Sequence, residues 1–280
     1  MTKVLCILVV FFIAKNCLIA QQSGIKQEQK YKLVWADEFN YNGTPDTAKW
    51  RFEEGFVRNN EAQWYQKENA MCQDGMLVII GDKENRPNPN FEEGSTNWKT
   101  KWKNIKFSSA SVVMKKEHAF QYGKVEVRAK IDAQPGLWPA IWTLGVSGEW
   151  PSNGEVDIME YYKDSILANF AFAAQKRYNG IWDVAKVSID SLGGRKWADQ
   201  FHVWTLIWDE NQMQIFVDDL LLNSIDLNKT INKSDGKNPF RQPHYLLLNL
   251  AMGGNRGGNL DNTDLPSMYF IDYVRVFQKK

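Results

Sequence analysis

The chain has 280 residues, with 34 Lys and Arg against 33 Asp and Glu, for a formal net charge of +1. That balance gives no electrostatic case for nucleic acid or an anionic membrane surface as a partner. Only Cys72 lies beyond residue 20, so the chain after that point has no internal disulfide and no cysteine-based metal cluster.

At the N-terminus Lys3 supplies a positive start, and residues 4–14 are uninterruptedly apolar. The run is too short for a membrane span, which needs about 20 residues. It reads as the hydrophobic region of an export signal cleaved after Ala20, although Leu18 is larger than the residue usual at that position. Secretion or delivery to a periplasm follows. Lipid attachment at Cys17 is a second route, with Asn16 standing where such signals carry a small residue.

Residues 21–30, rich in Gln and Lys, read as a flexible lead-in, and a single domain is predicted over 31–280. From Tyr31 onward, short β-forming runs alternate with Gly, Asn, Asp and Pro. Strands are predicted over 76–81 and 109–114, separated by a polar, Asn-, Pro- and Lys-rich loop at 83–107. A loop of that length in a compact domain is more often functional or mobile than idle. Residues 123–131 alternate most clearly, with Val125, Val127, Ala129 and Ile131 on one side and Lys124, Glu126, Arg128 and Lys130 on the other. That is a half-buried strand with one wet face.

Further strands are predicted over 140–144, 156–161, 167–173, 203–208, 213–217, 245–251 and 270–277, with one helical turn at 197–201. Long amphipathic helical runs and internal repeats are absent. The pattern predicts an all-β jelly-roll β-sandwich, and the 12 Trp, 10 Tyr and 15 Phe suit both its core and a sugar-stacking surface.

Residues 154–162, Gly-Glu-Val-Asp-Ile-Met-Glu-Tyr-Tyr, place Glu155, Asp157 and Glu160 among β-forming and core-filling residues. On a strand Glu155 and Asp157 share a face, while Glu160 has the wrong parity. One extra residue near Ile158 and Met159, a β-bulge, would return Glu160 to that face, and bulges are over-represented beside active sites. Two carboxyls flanking a third along one groove suit glycosidic bond cleavage. A separation of about 5–5.5 Å fits retention and about 6.5–9.5 Å inversion, a choice the spacing leaves open. The bland alternative, an edge strand with three solvated acids, fits poorly with the apolar residues between them.

Trp138 and Trp142, with Trp150 just beyond, are candidates to line the groove, because aromatic faces suit pyranose rings. At least one of them, Trp142 by its apolar context, is expected to be structural. Asn59, Glu61 and the aromatic pair Trp64 and Tyr65 form another carbohydrate-like cluster. The glycine-rich run carrying Asn255 and Arg256 lacks the Lys-Ser/Thr ending of a phosphate loop, so a tight turn or a close backbone approach to a ligand is favoured. His118, His202 and His244 show no metal-ligand spacing, and no Gly-x-Ser-x-Gly elbow occurs.

With these residues in place, the chain resembles the family 16 glycoside hydrolases, and within them the laminarinase-like endo-β-1,3(4)-glucanases. The resemblance runs over Leu33-Val-Trp-Ala-Asp37-Glu38-Phe39, Asn59-Asn-Glu61, Tyr122-Gly-Lys-Val-Glu126-Val-Arg128-Ala-Lys and Trp138-Pro-Ala-Ile-Trp142. It continues through Gly154-Glu-Val-Asp-Ile-Met-Glu160, Leu248-Asn249-Leu-Ala-Met-Gly253-Gly254 and Ile271-Asp272-Tyr-Val-Arg-Val-Phe277. It implies a jelly roll with a concave substrate cleft and retaining, endo-acting hydrolysis of β-linked glucans or galactans. Glu155 would be the nucleophile, Glu160 the general acid/base, and Asp157 the residue that holds Glu155. Asn59, Glu61, Trp138, Trp142, Trp150, Asn255 and Arg256 would bind substrate. No cofactor would serve the chemistry, and Glu38 and Asp272 match positions associated with a structural Ca²⁺. A monomer acting on a β-linked polysaccharide, without nucleic acid or a protein partner, is implied.

Two departures touch the cleft. Laminarinase-like members usually carry His on the strand after the triad, and residues 167–173 have none. Arg256 stands where the glycine-rich loop often has Trp. These keep an endo-β-galactosidase acting on galactan, poly-N-acetyllactosamine or mucin-type glycans as the alternative. Transglycosylation by the same residues and a non-catalytic lectin-like role are further readings, the last opposed by the intact triad.

Overall fold

Side-chain alternation sets the architecture. In the computed structural model, which describes residues 31–280, Val125, Val127 and Ala129 are buried while Lys124, Glu126, Arg128 and Lys130 remain partly exposed. The export signal, Cys17 and the lead-in at 21–30 lie outside the described residues.

In chain order the first strands are β1 (Tyr31–Asp37), β2 (Trp50–Phe52), β3 (Gln63–Tyr65), β4 (Ala70–Gln73), β5 (Met76–Pro87), β6 (Asn104–Ser109) and β7 (Ser111–Met114). Next come β8 (Gly123–Lys130), β9 (Leu137–Gly145), β10 (Glu155–Tyr162), β11 (Ser165–Ala173) and β12 (Gly180–Ser188). The last are β13 (His202–Trp208), β14 (Gln212–Val217), β15 (Leu220–Asp226), β16 (His244–Met252) and β17 (Ser267–Lys279).

They form two sheets. One runs β12-β11-β10-β9-β16-β7-β2. The other runs β15-β14-β13-β8-β17-β5-β6-β3, with β1 added on β17 and β4 on β5. Pairing is antiparallel except between β3 and β6. The inner faces meet in one apolar core, where Leu77, Val127, Leu206 and Ile271 of the larger sheet share a cluster with Ile141, Ile158, Phe170 and Leu248 of the smaller. This is the predicted β-sandwich of jelly-roll type.

Two local expectations need correction. The 83–107 loop is mostly a hairpin, because β5 runs on to Pro87 and pairs with β6 through Lys83–Phe107 and Arg86–Ile105. Backbone pairing continues there past the end of the apolar segment, with the polar side chains turned outward. The remaining turn, 88–103, is braced by Asn88, whose Nδ2 donates to the carbonyls of Lys99 (3.4 Å) and Trp102 (2.9 Å). Its Trp98 packs edge-on against Phe56, ring centroids 6.0 Å apart. The helical turn predicted at 197–201 is Arg195–Ala198, since the chain is already extended at His202.

Candidate active site

The acids lie on β10, the third strand of the seven-stranded sheet, between β9 and β11. Asp157 lies opposite Trp142 of β9 and Asn169 of β11, and Glu155 lies opposite Leu144 and Ala171. The register then slips on both sides, between Asp157 and Met159 against β9 and between Asp157 and Glu160 against β11. Ile158 and Met159 are both fully buried in the core. A strand that turns two consecutive residues inward carries a bulge, and the next residue, Glu160, emerges on the face of Glu155 and Asp157.

Each flanking acid has its own indole. Trp150 Nε1 donates to Glu155 Oε2 (2.8 Å), and Trp138 Nε1 donates to Glu160 Oε1 (2.8 Å). Trp142 donates instead to Asn249 Oδ1 (2.7 Å), whose Nδ2 donates to the Tyr65 hydroxyl (3.1 Å). Trp138 and Trp142 are equally buried, each 8% exposed, so burial does not single out Trp142 as the structural one. Trp150 leans on Trp182 of β12, centroids 6.5 Å apart.

Burial raises all three carboxyls. Asp157, the most enclosed, is pushed well above the usual carboxylate range by burial and then by the charges of Glu160 and Glu155. Glu155 is pushed up to about 7, by burial first and the charge of Glu160 second, against the Trp150 hydrogen bond and the charge of Arg58. Glu160 is also raised by burial, offset by hydrogen bonds from Trp138, Asp157 and Asn169 and by the charge of Arg256. Three acids so placed cannot all ionise at neutral pH, so at least one proton stays among them, with Asp157 its favoured holder.

The second candidate cluster joins the glycine-rich loop. Asn59 O accepts from the Asn255 amide (2.9 Å), and Asn60 Nδ2 donates to Asn255 Oδ1 (3.0 Å). Glu61, 3% exposed, accepts from Gln63 (2.8 Å) and Asn59 (3.3 Å), and its backbone bridges Gly253. Glu61 is therefore a brace between the two segments, while Asn59, Asn255 and Arg256 are exposed. The loop also presses on the tryptophan strand, with the Gly253 amide donating to Gly136 O (2.7 Å).

Sequence reasoning missed two residues. Arg58 donates to Glu53 and lies 5.1 Å from the Trp142 ring, close enough for its charge to favour ionised Glu155. Its signal was a lone cation beside the amide-rich 59–61 segment. Asn169, the one amide in an apolar strand, touches two of the three acids.

Glu38 and Asp272 are not gathered into a cation site. Glu38 holds Arg275 through two hydrogen bonds (2.8 and 2.7 Å), and Asp272 accepts from Arg128. Among the described residues no group of three or more His, Cys, Asp or Glu could hold a metal ion. With each carboxylate already neutralised by an arginine, this donor set does not fit Ca²⁺.

The family model for glycosyl hydrolases family 16 matches residues 58–275. The beta-glucanase of Rhodothermus marinus is 32% identical over 89% of this chain and 85% of its own length. Glucan endo-1,3-beta-glucosidase A1 of Niallia circulans is 31% identical over 89% of this chain, which spans 38% of that protein. Keratan-sulfate endo-1,4-beta-galactosidase of Sphingobacterium multivorum is 30% identical over 89% of this chain and 55% of itself. One solved structure comes from work on endo-acting O-glycanases with which prominent members of the human gut microbiota initiate mucin breakdown. It is 36% identical with a TM-score of 0.79, covering 89% of this chain and 91% of that one. LamAcat from Zobellia galactanivorans is 34% identical with a TM-score of 0.71, covering 88% and 98%.

Proposed function

The chain belongs to glycosyl hydrolase family 16, and on that premise we propose that it is an exported, retaining endo-β-glycanase that cuts internal β-1,3 or mixed β-1,3/1,4 glucan linkages. The observation that carries the reading is the bulge at Ile158–Met159, which brings Glu155, Asp157 and Glu160 to one face with an indole N–H on each outer acid.

In the first step Glu155 Oε attacks the anomeric carbon. Glu160 gives its proton to the departing glycosidic oxygen, leaving a glycosyl ester on Glu155. In the second step ionised Glu160 takes a proton from water, the water oxygen attacks the same carbon, and Glu155 leaves as carboxylate. Two inversions give net retention. Asp157, between them, holds a proton it can donate to Glu155 and so keeps the nucleophile oriented. Trp138 and Trp150 fix the two outer acids, and together with Trp142 they offer ring surface to the sugar, with Asn59, Asn255 and Arg256 at the rim.

A second polymer class has specific support. The O-glycanase structure superposes with a TM-score of 0.79 against 0.71 for LamAcat, and a keratan-sulfate galactosidase is among the relatives. Asn169 also stands on the strand where laminarinase-like proteins usually have His. This reading keeps the mechanism and moves the substrate to galactose-containing chains.

The deciding experiment is a product profile of residues 21–280 on laminarin, mixed-linkage glucan, agarose-type galactan and poly-N-acetyllactosamine glycans, with Glu155→Gln as control. Oligosaccharides from a glucan establish the leading reading, and products only from galactose-containing chains establish the second. Binding without products would make the protein a lectin, and near-wild-type turnover by Glu155→Gln would remove Glu155 from its role.

A further inference from the structure

Asn169 lies across from Asp157 in the β10–β11 register and is 3% exposed. Its neighbours on that face of β11 are the apolar Leu167 and Ala171, while Ala168 and Phe170 face the core. Its Nδ2 donates to Asp157 Oδ2 (3.1 Å) and to Glu160 Oε2 (3.0 Å), so both amide protons are spent on two acids of one triad. The other end of the side chain, Oδ1, is buried without a partner. A buried acceptor left unpaired is costly, and such groups in native structures call for an explanation. Here the nitrogen end dictates the orientation. With the amide reversed, a carbonyl oxygen would face two carboxyl groups and oppose ionisation of either.

Glu160 thereby has a fixed donor on each oxygen, Trp138 on Oε1 from β9 and Asn169 on Oε2 from β11. The plane of its carboxyl is set from both sides. The charged and titratable groups that act on it are Asp157 and Glu155 on its own strand, Tyr162 beyond it and Arg256 from the glycine-rich loop.

We propose that Asn169 is the positioning residue of the general acid/base, clamping Glu160 against Asp157 and favouring the ionised form that Glu160 must adopt to activate water. The inference rests on the assignment of Glu160 made above. A donor to a carboxylate stabilises the charged form, so loss of the amide raises the Glu160 titration and leaves the carboxyl free to rotate.

The test combines a ¹³C-carboxyl NMR titration with kinetics on the wild type, Asn169→Ala and the near-isosteric Asn169→Asp. The glycan substrate is the one found by the product profile. The activated probes are dinitrophenyl β-glycosides of laminaribiose and of N-acetyllactosamine, whose leaving groups need little protonation. In Asn169→Ala the Glu160 resonance and the alkaline limb of kcat/KM both move to higher pH. Asn169→Asp moves them the same way, because a fourth carboxyl then competes for the protons of the other three. On the glycan, kcat falls roughly 10- to 100-fold with KM little changed, and on the aryl glycoside, whose fast first step leaves water activation limiting, the fall is at least as large. Unmoved titrations, or wild-type turnover of the aryl glycoside, would overturn the proposal. A wild type inert towards glycans and both probes would sink the glycosidase reading itself, while the titration would still decide whether Asn169 controls Glu160.

Discussion

Glu155 carries a conflict between stability and chemistry that can be measured. Its carboxyl is raised from 4.5 to about 7 in the folded protein, chiefly by burial. Between those two values the unfolded chain has released its proton and the folded chain has not, so the unfolded state binds fewer protons and stability falls as pH rises. Above about 7 both states are ionised and the loss is complete. Glu155→Gln cannot ionise, and its amide oxygen can still accept the Trp150 N–H. The variant should therefore be inactive yet more stable than the wild type, by a margin that widens from pH 5 to pH 8. Melting temperatures of the two proteins at both values check this; a margin constant across pH would mean that Glu155 is not held protonated by the fold. The roles at this scale were only partly legible. The five-residue spacing of Glu155 and Glu160 on a strand demanded a bulge, and the register slips where the parity argument placed it. Which indole serves which acid, and that Asn169 joins two of them, depends on the alignment of β9 and β11 with β10, which no local pattern encodes.

Elements with one apolar and one polar face, such as β8, declared themselves, and so did the buried runs of β10, β11 and β16. The strands that escaped were β1 to β4, β6, β12 and β15. Some are only three or four residues long. In β12, Trp182 and Val184 are exposed on one face while Ile181 packs on the core from the other, so apolar residues on both sides blur the alternation. The glycine-rich loop was legible as a tight turn but not as a clamp on the 59–61 segment. Gly254 makes that clamp possible. It has φ +68°, and a Cβ there would stand 2.8 Å from Asn59 O and 3.0 Å from Glu61 Cα. Gly258, with φ +88°, has open space around its Cβ position. Alanine at either costs about 1 kcal/mol or more in backbone strain, but only Gly254→Ala also forces the two segments apart. It should lower the melting temperature more than Gly258→Ala and raise KM by displacing Asn255 and Arg256. Equal effects of the two substitutions on both readouts would show that backbone strain alone matters and that the clamp does not support the site.

Across the molecule the two sheets divide the labour, one outer face carrying the acids and the other a lattice of cations, acids and aromatic rings. The class of fold was visible in the spacing of short strands, whereas the pairing of charges on the larger sheet was not, because its partners are distant in sequence. Glu38 and Arg275 are joined by two hydrogen bonds over more than two hundred residues, tying the end of β1 to β17. Hydrogen bonding from Arg275, and then its charge, hold the Glu38 carboxyl below its usual range. Arg128 engages Asp272 and lies 4.5 Å from the Phe201 ring, closing the neighbouring position in the same way. A calcium ion at these carboxylates would have to displace two guanidinium groups before gaining its own ligands. The melting temperature should therefore be the same in excess chelator and in millimolar Ca²⁺. A ligand that binds the folded state alone at 100 times its dissociation constant adds about 2.7 kcal/mol, an effect that thermal unfolding resolves easily. A rise of several degrees with Ca²⁺ would require a cation site built from other ligands, and its persistence in Glu38→Gln would exclude Glu38 from that site.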